Sequence, residues 1–142
     1  MYSRMYGALQ SLGNYVTFLD CDDFINPNLF DNAYNTALSK NLDLIQYEYV
    51  GSAFDGDETY DYLVAYLSKA KYNEIVYPQN VETLLFGQRD SHGGSRIVYD
   101  KLYRRNVIKK MVDFLGKDLV NIHLIFIEDF LISFVAFRTA DS

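Results

Sequence analysis

Asp20, Asp22 and Asp23 put three carboxylates within four residues, directly after the apolar run Tyr15-Val16-Thr17-Phe18-Leu19. Crowded carboxylates raise one another's pKa unless a cation or a strong donor compensates. Oxygen-only ligands on a short turn suit Mg²⁺ or Mn²⁺, which one or two protein carboxylates hold while substrate phosphates complete the shell. A second acidic pair, Glu128-Asp129, follows the apolar run His123–Ile127. A carboxylate at a strand end beside such a site is a natural general base for an attacking hydroxyl. Each cluster also has a plainer reading, since Asp is common at turns and N-caps and acidic residues favour the first turn of a helix. Occurring together, the two clusters read as a metal–phosphate site.

Other chemistry fits less well. Two histidines, His92 and His123, and one cysteine do not make a zinc site. Cys21 has no histidine near it in sequence to activate it as a nucleophile. A calcium loop of the EF-hand type fails because Phe24 occupies a ligand position and the central Gly is missing. Lys101, Arg104 and Arg105 have the charge to meet phosphates, but on the polar side of a helix such residues are ordinarily solvated.

The elements that must carry these residues follow from periodicity. Met1 to Gly13 reads as a short helix, and Tyr15–Leu19 as a buried strand rich in β-branched and aromatic residues. Asn26-Pro27 is a good N-cap and N1 pair. Leu29, Phe30, Ala33, Tyr34, Ala37 and Leu38 then recur at helical spacing. Asp43–Val50 reads as a second strand, residues 51–59 as a turn-rich loop with Asp55–Glu58 as a surface turn, and Tyr60–Lys71 as a helix. Gly87–Ser95 reads as a loop of the kind that closes over substrate, and Ile97–Tyr99 as a brief strand. Leu102–Leu115 reads as an amphipathic helix ended by Gly116. His123–Ile127 reads as a strand and Phe130–Phe137 as a buried helix. Strands alternating with helices give an α/β class, in one domain with no internal repeat.

Bulk properties agree. The 142 residues suffice for one domain with a core, and 49% hydrophobic with 23% charged residues is ordinary for a soluble globular protein. A net charge of −6 without a large basic cluster argues against nucleic acid as partner. No apolar run is long enough to span a bilayer, no signal pattern opens the chain, and a single cysteine excludes an internal disulfide. The expected setting is a reducing compartment: cytoplasmic, or peripheral at a membrane.

Four stretches of sequence resemble the family 2 glycosyltransferases of GT-A fold. Arg4-Met5-Tyr6-Gly7 resembles that family's Ala-Arg-Asn-x-Gly, and Gly13-Asn14-Tyr15-Val16-Thr17-Phe18-Leu19-Asp20-Cys21-Asp22-Asp23 its Gly-x-Tyr-Ile-x-Phe-Leu-Asp-x-Asp-Asp. Asp100-Lys101-Leu102-Tyr103-Arg104-Arg105 and Ile127-Glu128-Asp129 resemble its later Lys-Leu-Tyr-Arg-Arg and Glu-Asp motifs. The resemblance implies a GT-A-like α/β fold and metal-dependent, inverting transfer of a sugar from a nucleotide-sugar donor, of UDP type, to an acceptor hydroxyl. The acceptor it implies is a glycan or a lipid-linked saccharide. By this likeness Asp22 binds Mn²⁺ or Mg²⁺, and Asp20 and Arg4 lie at the donor. Asp129 is the base, with Glu128 assisting acceptor binding or orienting Asp129. The chain departs from the pattern at Ser3 and Met5. The likeness also implies that residues 1–142 form a single partial domain, the central and C-terminal parts of the mixed sheet with flanking helices. The family's N-terminal nucleotide-recognition unit, with its Asp-rich turn, has no counterpart in these residues.

Two other readings stand beside this one. A haloacid-dehalogenase-like phosphohydrolase also places Asp-x-Asp after an apolar strand, with Asp20 as nucleophile, but Phe24 stands where it wants Thr or Val. An inactive remnant of the transferase fold, or an interaction domain, would keep the architecture without the chemistry.

Overall fold

The structure, a computed structural model, describes residues 1–47, 51–55, 58–62, 98–121, 124 and 128–141. Helix α1 spans Tyr2–Gln10, strand β1 Tyr15–Thr17, helix α2 Pro27–Ser39 and strand β2 Leu44–Gln46. Strands β3 (Gly51–Asp55) and β4 (Glu58–Tyr62) follow, then strand β5 (Lys101–Arg104) and helices α3 (Arg105–Asn121) and α4 (Glu128–Thr139). The class is a mixture of helix and sheet, and every adjacent strand pair described is antiparallel.

One sheet has the order β1-β5-β2. Val16 lies opposite Tyr103, which on its other side faces Leu44; Thr17 and Ile45 flank Leu102 in the same way. Because β1 and β2 both oppose β5, they run in the same direction, and α2 is the crossover between them. Side chains alternate across the sheet, as the pleat requires. Leu102, Tyr15 and Ile45 pack with Ala33 and Ala37 of α2. Val16, Tyr103 and Leu44 face the opposite way, into the main core with Met5 and Ala8 of α1, Ile108 and Met111 of α3, and Ile132 and Val135 of α4. Burying a side chain such as Ile108 fully is worth roughly 1.5–3 kcal/mol. The sheet is thus the middle layer between α2 and the other three helices.

Local signals explain the boundaries of α2. The Asn26 side chain accepts a hydrogen bond from the Asn28 N–H at 3.0 Å, and Pro27 opens the first turn. At the other end Asn41 takes a left-handed φ of 54°. The Leu42 N–H then donates to the Ala37 carbonyl at 2.9 Å, and the Asn41 N–H to that of Leu38 at 3.2 Å, a Schellman closure. Arg104 on β5 locks this corner, donating from Nη2 to the Asn41 Oδ1 at 2.9 Å and pairing through Nε with Asp43 at 2.8 Å.

Several expectations are corrected. Lys101–Arg104 is a strand, and the helix expected from Leu102 begins at Arg105. Tyr99 is not in a strand. The expected loop at 51–59 contains a hairpin in which Asp55 pairs with Glu58, and Tyr60–Tyr62 belongs to β4 rather than to a helix. Gly116 does break the helix, at φ 71° and ψ 160°, but a short helical segment follows within α3. Residues 63–71, the Gly87–Ser95 loop and most of the expected strand His123–Ile127 lie outside the described residues. The helix expected at Phe130–Phe137 is present within α4, with Ile132, Ser133, Val135, Ala136 and Phe137 buried.

Candidate functional site

Three elements bring the acidic clusters to one guanidinium. Asp20 follows β1, three residues after Thr17, whose hydroxyl donates to the Lys101 carbonyl at 2.9 Å and so fixes the strand end. Phe18, between them, packs edge-on against the buried Tyr103 ring at 5.4 Å. Glu128 and Asp129 form the first turn of α4, where the helix dipole favours negative charge. Arg4 projects from α1. Its Nη2 donates to Asp20 Oδ1 at 2.7 Å, and its Nη1 to Asp129 Oδ1 at 2.6 Å and to Glu128 Oε1 at 3.4 Å. The chain's terminal ammonium lies 2.5 Å from the other oxygen of Glu128.

The electrostatics follow from this arrangement. Desolvation pulls the Arg4 pKa down, but the hydrogen bond to Asp20 and the charges of Asp129, Asp20 and Glu128 outweigh it and raise the value. Burial raises the Asp129 pKa; Arg4 opposes that rise through charge and hydrogen bond, and Glu128 and Asp20 add to it. A carboxyl held above its ordinary range is better suited to accept a proton.

Asp22, Asp23 and Cys21 occupy an exposed turn closed by the Asp23 N–H donating to the Asp20 carbonyl at 3.1 Å. Desolvation and the charges of Asp22 and Asp20 raise the Asp23 pKa. Among the described residues no three Asp, Glu, His or Cys side chains converge into a metal cage. Such a cage is not what Mg²⁺ or Mn²⁺ needs: one or two exposed carboxylates plus phosphate oxygens and water suffice, and the Asp22 turn offers that donor set.

The residues expected to act together are divided by the structure into two groups. Arg4, Asp20, Glu128 and Asp129 share one ion-pair network, while Asp22 stands on the adjoining turn. His92 and His123 lie outside the described residues. Two of the three basic residues expected on a solvated helix face behave otherwise: Arg104 is committed to the α2 corner, and Lys101 is fully buried, while the Arg105 side chain is half-buried at the start of α3.

A feature not expected from sequence is the pair beneath the sheet surface. Lys101 Nζ donates to Asp100 Oδ1 at 2.6 Å, with both side chains wholly buried, and sits 5.8 Å from the centre of the Phe137 ring. Burial pulls the Lys101 pKa down, and Asp100 with its hydrogen bond only partly restores it. The signal for it was the flanking Val98 and Leu102-Tyr103, since a charged pair inside an apolar run is ordinarily buried only when paired. An open apolar groove of about 250 Å³ runs between α1 and α3, lined by Tyr2, Tyr6 and Val112 among others, and includes none of the carboxylates.

Among the described residues no helix is long and apolar enough to cross a membrane. Comparison of the chain with protein-family models, curated proteins and solved structures gave no significant match.

Proposed function

We propose that this chain carries the catalytic residues of a GT-A-like glycosyltransferase acting on a nucleotide-sugar donor. The observation that carries the reading is the meeting of Arg4, Asp20 and Asp129 within 2.7 Å contacts. They come from three separate sequence blocks of the resemblance, and no local rule of helix or strand formation requires blocks so distant to converge on one cation.

In this reading the acceptor hydroxyl binds beside Asp129, which takes its proton as the oxygen forms a bond to the anomeric carbon. The bond from that carbon to the diphosphate breaks on the opposite face, so configuration inverts. Asp129 is suited to this by its raised pKa, to which the neighbouring charge of Glu128 adds. Arg4 offers the guanidinium fork that suits phosphate oxygens. Asp22 would hold Mn²⁺ or Mg²⁺, whose contribution is to offset charge on the departing diphosphate. The acceptor is a glycan or a lipid-linked saccharide.

Calorimetric titration of UDP-sugars into the full chain, with and without Mn²⁺, tests this. Binding that requires the metal and is lost in Asp22→Asn supports the reading. Binding that Asp22→Asn leaves unchanged contradicts it.

A further inference from the structure

Arg4 has one guanidinium and three carboxylate partners on two other segments of the chain, with its two terminal nitrogens divided between them: Nη2 on Asp20 and Nη1 on Asp129 and Glu128. In the proposed reading a diphosphate held through Asp22, two residues from the Arg4 partner Asp20, would compete for the same donors, because phosphate oxygens match the guanidinium fork at least as well as carboxylates do. Arg4 cannot serve both at full strength. While it holds Asp129, Arg4 engages one carboxylate oxygen at 2.6 Å, and its charge and hydrogen bond make that carboxylate a weaker base.

We propose that Arg4 is an exchange latch, which ties Asp129 to the end of β1 in the free chain and passes to the diphosphate when a donor binds, releasing Asp129 for the acceptor. The latch rests on the glycosyltransferase reading above and adds to it a coupling, carried by Arg4, between diphosphate binding and the base. It makes Arg4 a positioning residue for the base as well as a donor contact. The geometry suits exchange rather than a permanent tie. The Arg4, Asp20 and Asp129 side chains keep 27%, 42% and 36% of their exposure, so water and ligand reach the pairs. The buried Asp100–Lys101 pair shows the contrasting case, with both side chains at 0%.

Because coupling between two binding events is reciprocal, weakening the Arg4–Asp129 tie must strengthen diphosphate binding. Calorimetric titration of inorganic pyrophosphate in excess Mg²⁺ measures this on the wild type, Asp129→Asn, Arg4→Gln and the double variant. The latch predicts that Asp129→Asn tightens pyrophosphate by about fivefold, the lower end of typical couplings. In the Arg4→Gln background the same change should gain less than about twofold, the range in which independent effects simply add. Arg4→Lys keeps a charge without the fork, and serves in place of Arg4→Gln if that variant does not fold. A gain of equal size in both backgrounds means mere removal of a negative charge, and overturns the latch. Equal affinity of wild type and Asp129→Asn overturns it too, while metal-dependent UDP-sugar binding would leave the transferase reading standing. No pyrophosphate binding by any variant overturns the latch, and the UDP-sugar titration then judges the transferase reading separately.

Discussion

Arg4 Nη1 lies 2.6 Å from Asp129 Oδ1, although 125 positions separate the two residues in the chain. That contact joins the first helix to the first turn of the last, and Asp20 closes the arrangement from the end of β1. In the proposed function the side chain that ties these three elements together is also the one that meets the donor phosphate.

Replacing Arg4 by Ala should therefore cost stability as well as binding. The pairs are partly exposed, so each is worth at most about 1 kcal/mol, and the total is held down by solvent. Urea unfolding of Arg4→Ala should show a loss of about 1–2 kcal/mol with an unchanged dependence on denaturant. No loss would mean that the network is idle.

Asp129 sets a pH dependence. Its pKa in the folded chain is raised, mainly by burial, so the folded state holds its proton to higher pH than the unfolded state does. Its contribution to stability is thus fully present below the ordinary carboxylate pKa of about 4, and is lost as pH rises through the folded value. Asp129→Asn removes that loss. Relative to wild type, the variant should gain stability as pH rises from about 4 into the neutral range, and urea titrations at a series of pH values read the difference. A difference constant with pH would contradict the assignment.

The Asp100–Lys101 pair should behave as a buried unit. Lys101→Met leaves Asp100 without its cation inside the core, at an expected cost of about 3–5 kcal/mol. The double change Asp100→Asn with Lys101→Met should recover much of that. Thermal unfolding of Lys101→Met, Asp100→Asn and the double variant distinguishes this from independent effects, in which the double variant is simply the worst.

Gly116 should resist any side chain. Its φ of 71° with ψ of 160° lies in a region essentially limited to glycine, while an added Cβ would meet nothing within 4 Å. Gly116→Ala should therefore cost about 1–3 kcal/mol through backbone strain alone. A neutral effect would show that the break between the two parts of α3 relaxes freely.

Much of this was legible in the residues. Asn26-Pro27 and Gly116 act through local backbone rules, and the structure uses them as such rules require. Asp20 and Asp129 stood out as acidic clusters after apolar runs and Arg4 through the family resemblance alone, but their meeting on one guanidinium depends on tertiary packing. The strand Lys101–Arg104 was obscured because it runs into α3 at Arg105 with no turn residue between, so Leu102 joined a helical pattern that begins later. Lys101 in turn reads as a solvated charge unless Asp100 is recognised as its buried partner. In residues 51–62 the glycines suggested a loop, and the alternation Phe54, Tyr60, Tyr62 that suits a hairpin carried too little weight.

The most direct test is transfer of a labelled sugar from a nucleotide-sugar donor by the full chain in Mn²⁺, comparing wild type with Asp129→Asn. Loss of a general base should lower the rate by about 10²–10⁴-fold while UDP-sugar binding is kept. Transfer at the wild-type rate by Asp129→Asn would contradict the assignment of Asp129 as the base and, with it, the site built around Arg4.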